Sequence, residues 1–182
     1  MEIKSTPISG LSILEPRIIC DNRGLFFEAY NESEFHKAGI CYHFVQDNQS
    51  TSVKNVLRGV HVQRNFPQAK LVRVISGAIW DVSVDMRRES PTFGKWFGVE
   101  LSAQNKRQIL IPENFAHGFY TLSDKAEVLY KVTTHFHSGD EIGFIWNDKD
   151  INIQWPIPKG IRPILADKDL NWKTFKETFL NI

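Results

Sequence analysis

The chain has 182 residues, of which 42% are hydrophobic and 24% are charged, and these values are ordinary for a folded globular protein. Its 22 basic and 21 acidic residues leave a net charge of +1, so bulk charge gives no reason to expect a nucleic acid or an anionic membrane as a partner. The segment MEIKSTPISG lacks the apolar stretch of a secretory signal, and no apolar run approaches the roughly 18 residues of a membrane span. We therefore expect a cytoplasmic protein with one domain, residues 1–182.

Short strand-like runs, separated by Gly, Pro, Asn, Asp and Ser, dominate the chain. In chain order they are LSILEPRII, LFFEAY, HFVQDNQSTS, VLRGVHVQ, KLVRVIS, AIWDVSVDM, FGVEL, QILIP, HGFYTLS and EVLYKVTT. This pattern predicts a mainly β protein, a sandwich or barrel with a few short helices. KLVRVIS and AIWDVSVDM flank Gly77, and the strict alternation of the second run predicts that the two form a hairpin.

Two segments are predicted to form helices. In NESEFHKAG, Asn31 is a capping residue, Glu34 stands three residues later, and Gly39 can end the helix after about two turns. In DLNWKTFKETF, aromatic residues recur at helical spacing, which predicts a second helix over residues 169–179 with Asp169 as its cap. The apolar stripe of this second helix is interpreted as a packing surface.

Several enzyme classes lack their motifs in this chain. It contains no G-x-S-x-G nucleophile elbow, no phosphate loop with GK[ST] and no G-x-G-x-x-G fingerprint. Cys20 and Cys41 are the only cysteines, and they favour free thiols over a disulfide or a zinc site. A metal site on a β-barrel would use two histidines two residues apart, but position 63 is Gln, and His135 and His137 lie in a loop-like segment. We therefore expect no metal.

The remaining candidates are acid–base side chains. His61 in RGVHVQ has an ordinary pKa of about 6.5, suitable for a base at neutral pH, although a lone strand histidine is more often a hydrogen-bonded structural residue. Tyr130 in EVLYKVTT shares a strand face with Val128 and Val132, so it should point inward, where a packing role is also open. His117 in IPENFAHGF lies where Pro, Asn and Gly indicate a tight loop.

A resemblance to a known family is carried by eight blocks in fixed order. They are DNRGLFFEAY, FVQDNQS, VLRGVHVQ, KLVRVISGAIWDVSVDMRRESPTFGKW, IPENFAHGF, LYK, WND and LADKD. Together they resemble the dTDP-4-dehydrorhamnose 3,5-epimerase family of nucleotide-sugar enzymes over nearly the whole chain. The resemblance implies a cupin-type jelly roll, usually a homodimer, that uses neither a metal nor an organic cofactor. It implies dTDP-4-dehydro-6-deoxy-D-glucose as substrate and dTDP-4-dehydro-L-rhamnose as product.

The resemblance also implies catalytic roles. Inversion of a carbon next to a ketone needs a base on one side of the sugar ring and an acid on the other. By resemblance, His61 is the base, Asp169 is the carboxylate that orients it and stabilises its protonated form, and Tyr130 is the proton donor on the far face. Lys70 and His117 match residues near the 4-oxygen, where cations or hydrogen-bond donors stabilise developing negative charge.

The implied substrate-binding set extends along the nucleotide. Arg23 and Arg58 suit the diphosphate, because a guanidinium binds phosphate through two parallel hydrogen bonds. Phe136 stands where the family usually has a tyrosine that stacks on thymine, and its ring keeps the stacking face. In several family members Arg23 and Glu28 act across the dimer. The other family binding positions are Gln46, Asp47, Asn48, Glu141 and Lys168.

Three local features differ from a regular family pattern or a regular strand. Val62 replaces a usual aromatic residue and should face away from His61. Asn114 replaces a usual glycine, and Asn tolerates a left-handed backbone well. Strict alternation would send Arg58 and His61 to opposite faces although both should serve one ligand, so Gly59 between them predicts a bulge or twist.

These departures leave the nucleotide, the sugar and the number of inverted carbons open. A single-centre epimerase, inverting C3 or C5 alone, or a ketoisomerase acting on a related nucleotide-linked 4-keto sugar would carry the same catalytic residues. From another class, a non-catalytic sugar-nucleotide-binding cupin would need neither the acid nor the base. A metal-dependent cupin is a third alternative.

Overall fold

Antiparallel strands make up most of the regular structure in the computed structural model, which describes residues 1–180. Residues 181 and 182 of the expected domain lie outside the described residues. The strands are β1 (Glu2–Ser5), β2 (Ser12–Glu15), β3 (Ile19–Asp21), β4 (Gly24–Phe26), β5 (Gln46–Val53), β6 (Leu57–Gln63), β7 (Lys70–Ser76), β8 (Ala78–Asp85), β9 (Trp96–Ser102), β10 (Gln108–Ile111), β11 (Phe115–Thr121), β12 (Lys125–Val132) and β13 (Glu141–Gly143). The helices are α1 (Glu32–Lys37), α2 (Asp167–Leu170) and a π-helical turn, Lys176–Leu180.

The strands form two main sheets. One has six strands in the order β1-β2-β10-β7-β12-β5, and the other has five in the order β13-β6-β11-β8-β9. Strands β3 and β4 form a separate two-stranded ribbon. The two main sheets pack face to face around a shared apolar core, so the fold is a β-sandwich of the cupin jelly-roll type with a few short helices. This confirms the predicted fold class.

An apolar core fills much of the space between the sheets. Val72 of β7 and Val128 of β12 share this core with Ile79 of β8 and Phe119 of β11, and all four are buried. Alternate residues of each strand point inward, as the period-2 pattern of these segments predicts. Polar residues at inward positions therefore stand out, because they must be hydrogen-bonded or line a cavity.

Both outer faces of the sandwich are also covered. Segment 144–179 lies over the five-stranded sheet, where Phe144 and Phe175 belong to the same buried cluster as Val62. Helix α1 covers the six-stranded sheet through Phe35. Val62 thus packs on the outer face, opposite His61, as predicted. Central strands are buried on both sides, so side chains that they place inward are held in a rigid surrounding.

The turn at Gly77 connects the two sheets, so the predicted hairpin is wrong. Strand β7 pairs with β10 and β12, whereas β8 pairs with β9 and β11. Gly77 has a φ of +75°, and a Cβ there would lie 2.1 Å from the Lys125 carbonyl oxygen. Only glycine allows the chain to cross between sheets at this point. Alternation along each strand is the same in both arrangements, so the sequence pattern does not distinguish them.

Helix α1 forms as predicted. The Asn31 side chain accepts a hydrogen bond from the backbone N–H of Glu34 at 3.3 Å, and Gly39 follows the helix with a φ of +81°. In the part of the chain that the structure describes, no helix has both the length and the apolar character needed to cross a membrane.

The helix predicted over residues 169–179 is wrong. Asp169 lies inside the short α2 and does not cap it, and helical structure resumes only at the π-helical turn. Between them the backbone bonds to another segment, because the Phe175 N–H donates to Oδ2 of Asp148 at 2.8 Å. This tertiary contact overrides the helical spacing of the aromatic residues.

Two short strands were not predicted. Strand β1 pairs with β2 at the edge of the six-stranded sheet, and β13 pairs with β6 at the edge of the five-stranded sheet. Their sequences, EIKS and EIG, are too short to show an alternating pattern. Strand β13 matters for function because it places Glu141 beside the histidine-bearing strand β6.

Candidate functional site

A cavity of about 400 Å³ opens between the inner faces of the two main sheets. Strands β6 and β11 contribute His61 and His117 from the five-stranded sheet, and β7 and β12 contribute Lys70 and Tyr130 from the six-stranded sheet. The cavity thus brings together basic and phenolic side chains from opposing walls. The other predicted site residues that line it are Arg58, Phe136, Glu141, Lys168 and Asp169.

A bulge in β6 turns Arg58 and His61 toward the same side. In the pairing of β6 with β11, His61 lies opposite His117 and Arg58 lies opposite Phe119. The chain advances three residues in β6 between these two pairs but only two in β11, so β6 contains one extra residue. Gly59 in the bulge has a φ of +105°. The irregularity predicted at Gly59 is therefore confirmed, and it lets both side chains reach the cavity.

The His61 imidazole is largely enclosed. Its side chain is 22% exposed, and its Nδ1 lies 3.0 Å from Oε1 of Glu141. Burial lowers the pKa of His61 well below its ordinary value, and the nearby charges of Lys70, Lys168 and His117 lower it further. The imidazole is consequently neutral at neutral pH, which is the form that can accept a proton.

Tyr130 faces the cavity from the opposite sheet. It packs against the central core and lines the cavity, so the inward orientation predicted for it is confirmed. Burial raises the pKa of its phenol above the ordinary value. The hydroxyl therefore keeps its proton at neutral pH and can donate it.

Lys70 supplies a buried cation. Burial lowers its pKa to about 8, although the carboxylates of Glu141 and Asp81 oppose the shift. At pH 7 most Lys70 side chains with such a pKa still carry a proton. The cavity thus contains a positive charge whose loss requires only mildly alkaline conditions.

His117 lies on strand β11, so its placement in a loop is a prediction that the structure corrects. The turn ends at Asn114, whose φ of +60° is the left-handed conformation expected for it, and the strand starts at the next residue. His117 is buried, and its Nε2 lies 2.8 Å from Oδ2 of Asp81. This contact fixes the orientation of the ring toward the cavity.

Asp169 lies beside the bulge of β6. Its Oδ2 accepts a hydrogen bond from the Gly59 N–H at 3.3 Å, and its Oδ1 accepts one from Nε1 of Trp172 at 3.2 Å. Burial raises the pKa of its carboxyl despite these two hydrogen bonds. Asp169 therefore anchors the bulge in this structure, and the carboxylate within ion-pair distance of His61 is that of Glu141.

Polar residues of β5 extend the site toward Phe136. Gln46 donates to Oδ1 of Asn48 at 2.7 Å and accepts from the Phe136 N–H at 3.1 Å. Phe136 lines the cavity and is 57% exposed as a residue, so its ring can stack on a planar group. Arg58 donates from Nε to Oγ of Ser52 at 3.0 Å, which holds its guanidinium at the cavity wall.

Three predicted binding residues lie away from this cavity. Asp47 points outward from β5 and pairs with Lys131 at 2.9 Å. Arg23 lies in the exposed turn between β3 and β4 and pairs with Asp21 at 2.6 Å. Glu28 accepts a hydrogen bond from Asn31 at 3.0 Å near the start of α1. Within one chain, these three side chains do not join the other predicted site residues.

Comparison with known proteins identifies the family. A family model described as dTDP-4-dehydrorhamnose 3,5-epimerase matches residues 5–177. The chain belongs to the dTDP-4-dehydrorhamnose 3,5-epimerase family. A relative of that name from Shigella flexneri is 50% identical over 177 residues, which cover 96% of each chain.

Solved structures of the 3,5-epimerase family are also similar. The dTDP-4-dehydrorhamnose 3,5-epimerase of Elizabethkingia anophelis superposes with a TM-score of 0.93 at 45% identity, covering 98% of both chains. A dTDP-6-deoxy-D-glucose-3,5-epimerase from Legionella pneumophila, solved in complex with dTDP-4-keto-L-rhamnose, has a TM-score of 0.91 at 45% identity and covers 95% of this chain and 92% of its own. Both similarities extend over almost the entire sandwich.

Two polar residues of the cavity region were not predicted as part of the epimerase site. Asp81 is the buried partner of His117, and its Oδ1 has no hydrogen-bond partner among residues 1–180. Ser50 lines the cavity, and its buried Oγ is likewise unpartnered within the described residues. The signal for Asp81 was visible, because an acidic residue at an inward position of IWDVSVD needs a partner. No comparable signal marks Ser50 in the sequence.

Proposed function

We propose that the protein converts dTDP-4-dehydro-6-deoxy-D-glucose to dTDP-4-dehydro-L-rhamnose by inverting C3 and C5. One observation carries the proposal: His61 and Tyr130 project into the same cavity from opposing sheets. A base and an acid on opposite walls can act on opposite faces of a sugar ring. Family membership supports this assignment.

The proposed chemistry moves only protons. The 4-keto group makes the protons on C3 and C5 acidic, so removal of one gives an enolate with its charge on the 4-oxygen. His61 accepts the proton from one face, and Tyr130 returns a proton to the other face of the same carbon. The cation of Lys70 and the ring of His117 stabilise the enolate oxygen. Exchange with water then removes the proton from His61 and returns one to Tyr130, so that a second such event can invert the other carbon.

The protonation states in the free protein suit these roles. The lowered pKa of His61 leaves a base ready to accept a proton, and the raised pKa of Tyr130 keeps an acid ready to donate one. Lys70 retains its charge at neutral pH. No proton needs to be rearranged before substrate binds.

We assign the nucleotide end of the substrate to the other cavity residues. Arg58 and Lys168 offer positive charge for the diphosphate, and the exposed ring of Phe136 offers a stacking face for the base. Gln46 and Asn48, which are hydrogen-bonded to each other beside Phe136, can contact groups on the nucleoside. Asp169 and Glu141 border this region from α2 and β13.

Proton exchange in deuterated water tests the proposal. With dTDP-4-dehydro-6-deoxy-D-glucose, NMR should show deuterium at both C3 and C5 and formation of the L-rhamno product. The His61→Ala variant should lose exchange, because no other group is assigned as base. His36→Asn is the matched control, since His36 is an exposed histidine of α1 outside the cavity, and it should retain wild-type exchange.

Other outcomes separate the alternatives. Deuterium at one carbon alone would indicate a single-centre epimerase, and tight binding without any exchange would indicate a non-catalytic binding protein. Exchange that survives in His61→Ala would contradict the assigned base. Tyr130→Phe should block inversion, because the acid on the far face is then missing.

We also propose that the chain acts as a homodimer of single-domain subunits in the cytoplasm. The β3–β4 ribbon exposes Ile19, Leu25 and Phe26, with Arg23 at its turn. Such an exposed apolar ribbon favours a protein partner, and a second copy would let Arg23 and Glu28 reach a neighbouring cavity. The exposed free thiols of the two cysteines suit a reducing compartment.

A further inference from the structure

Asp81 is a buried acidic residue next to the wall of the cavity. Strand β8 pairs with β11 so that Ser83 lies opposite His117 and Asp81 lies opposite Phe119. Residues that are diagonal to each other on neighbouring strands share a face of the sheet and can contact each other. Oδ2 of Asp81 lies 2.8 Å from Nε2 of His117, and the side chain of Asp81 is 0% exposed. Asp81 can therefore act on a bound substrate only through neighbouring side chains.

The surroundings of Asp81 provide few hydrogen bonds for a buried carboxylate. Its Oδ1 is buried and has no hydrogen-bond partner among residues 1–180, so the contact with His117 is the one hydrogen bond that its side chain makes there. A buried charge with so few hydrogen bonds needs nearby charges of opposite sign. Lys70 supplies one, because burial lowers the pKa of Lys70 while the charges of Glu141 and Asp81 oppose that shift. Asp81 thus acts on both residues that are assigned to the 4-oxygen.

We propose that Asp81 is the shared counter-ion of His117 and Lys70, which positions the His117 ring and keeps the charge of Lys70 available to the enolate; this role rests on the proposed function. A carboxylate only accepts hydrogen bonds, so the proton of the contact with His117 lies on Nε2. Nδ1 is then the ring nitrogen that is left for the substrate. With a proton on Nδ1, the ring donates to the 4-oxygen, and the carboxylate at Nε2 stabilises the imidazolium.

The other acidic residues of the cavity have partners of their own. Besides His117 and Lys70, the charged and titratable groups that line the cavity are Arg58, His61, Tyr130, Glu141, Lys168 and Asp169. Glu141 accepts a hydrogen bond from Lys168, and Asp169 accepts one from the backbone at the bulge of β6. Among the described residues, Asp81 is the carboxylate that is hydrogen-bonded to His117.

The ring N–H of His117 in the unliganded protein tests the positioning role. In protein with ¹⁵N-labelled histidine near neutral pH, the Nε2–H of His117, assigned by its absence in His117→Gln, should exchange slowly with solvent because its hydrogen bond is buried. The signal should persist in Asp81→Asn, whose amide oxygen can accept the same hydrogen bond, and disappear in Asp81→Ala. Rapid exchange in the wild-type protein, or a slow signal in Asp81→Ala, would contradict the positioning role.

Kinetics of Asp81→Asn test the charge, because this variant keeps the acceptor oxygen and loses the negative charge. We expect kcat to fall at least about 10-fold, since one donor to a developing oxyanion contributes roughly 10²–10³-fold. KM and the dissociation constant for dTDP should change little, because Asp81 does not touch the substrate. The alkaline decline of kcat/KM should move to lower pH, because loss of the Asp81 charge lowers the pKa of Lys70 further. A wild-type kcat with an unmoved alkaline decline would overturn the counter-ion role.

Ser83→Ala is the matched control on the same strand. Ser83 lies directly opposite His117, and its Oγ is buried without a hydrogen-bond partner among residues 1–180. Removing this hydroxyl changes a buried polar group of β8 but no charge, so kcat and the alkaline decline should match those of the wild type. Equal effects of Ser83→Ala and Asp81→Asn would contradict a role for the Asp81 charge.

The two proposals fail in different ways. If the wild-type protein showed no exchange at C3 or C5, the proposed function would fail, whereas the ring N–H signal would still decide whether Asp81 positions His117. If the wild-type protein catalysed exchange and neither the signal nor the pH profile depended on Asp81, only the role of Asp81 would fail.

Discussion

His61 and Lys70 have lowered pKa values for the same reason, burial, yet the proposed reaction needs them in opposite protonation states. His61 must be neutral to accept a carbon-bound proton, and Lys70 must be charged to stabilise the enolate oxygen. The ordinary pKa of lysine is about four units above that of histidine. A pH between the lowered pKa of His61 and the lowered pKa of Lys70 therefore meets both requirements. The reaction therefore has a window of pH with His61 at its acid limit and Lys70 at its alkaline limit.

We predict a bell-shaped dependence of kcat/KM on pH. Activity should fall as the pH drops through the pKa of His61, which lies below 6.5, and should fall again as the pH rises through about 8, where Lys70 loses its proton. Initial rates of exchange measured across this range test the profile. In Lys70→Arg, whose guanidinium stays charged, the alkaline decline should disappear. An unchanged alkaline decline in that variant would assign it to another group.

At the scale of elements, the bulge of β6 depends on close contact between two backbones. A Cβ on Gly59 would lie 2.6 Å from the His117 carbonyl oxygen and 2.7 Å from the Gly118 Cα. Real side chains do not approach backbone so closely, and the φ of +105° is itself unfavourable for other residues. The same contact sets the direction of Arg58 and His61.

We predict that Gly59→Ala lowers the free energy of unfolding by more than about 2 kcal/mol, since steric overlap adds to the cost of the backbone conformation. Gly160→Ala is the matched control, because Gly160 also has a positive φ of +84° but nothing lies within 4 Å of its built Cβ. It should cost only about 1–2 kcal/mol. Urea unfolding of both variants measures the difference, and equal losses would show that the contact at β6 is unimportant.

The loop after β8 is organised by one buried carboxylate. Asp85 accepts hydrogen bonds from Nη2 of Arg87 at 2.7 Å, Oγ of Ser90 at 2.6 Å and Oγ1 of Thr92 at 2.7 Å. Burial would raise the pKa of Asp85, but these hydrogen bonds outweigh it and hold the pKa well below the usual range. The ionised carboxylate therefore stabilises the folded state.

We predict that Asp85→Asn destabilises the fold by about 3 kcal/mol at pH 7, because it leaves Arg87 without its partner. A lowered pKa gives stability that is present above the ordinary pKa of Asp, about 4, and is lost as the pH falls below it. The difference from wild type should therefore shrink in acid. Asp124→Asn removes an exposed ion pair with Lys54 and should cost less than about 1 kcal/mol. Thermal unfolding of wild type and Asp85→Asn at several pH values measures this difference, and a difference that did not change with pH would contradict the account.

The elements that could be predicted from the sequence are those that are determined by residues close together in the chain. Alternation marked most strands, and the cap at Asn31 marked α1, because those signals lie within a few residues. The turn at Gly77 could not be assigned to a hairpin or a crossing, since that depends on which distant strands pair with β7 and β8. The prediction of a helix over 169–179 was also wrong because of a distant contact. The Phe175 N–H donates a hydrogen bond to the Asp148 side chain instead of to a helical carbonyl.

Over the whole molecule, the cavity is assembled from strands far apart in sequence. The spacing of RGVHVQ or EVLYKVTT alone left His61 and Tyr130 as possible packing residues, and only the resemblance of the ordered blocks implied that they act together. The sandwich brings both to one cavity. The contacts Glu141–His61 and Asp81–His117 could not be predicted, because they depend on the register between strands.

The exposed ribbon of β3 and β4 raises the question of how Arg23 could serve a cavity from which it is remote. Its side chain is 86% exposed, and Phe26 nearby is 64% exposed, which is costly for an isolated chain. A second copy packed on the ribbon would bury the apolar side chains and bring Arg23 near the partner's diphosphate site. Each cavity would then be completed by both chains.

We predict that the inactive variants Arg23→Ala and His61→Ala complement each other. In a mixed dimer, the chain that carries the Arg23 substitution has an intact His61 and receives Arg23 from its partner, so one of the two cavities is complete. Random exchange of subunits should restore about a quarter of wild-type activity, because about half of the dimers are mixed and each has one complete cavity. Co-refolding the variants and measuring exchange at C3 and C5 tests this, with sedimentation to establish the dimer. If Arg23 served its own chain's cavity, each mixed dimer would contain two defective cavities and the mixture would stay inactive.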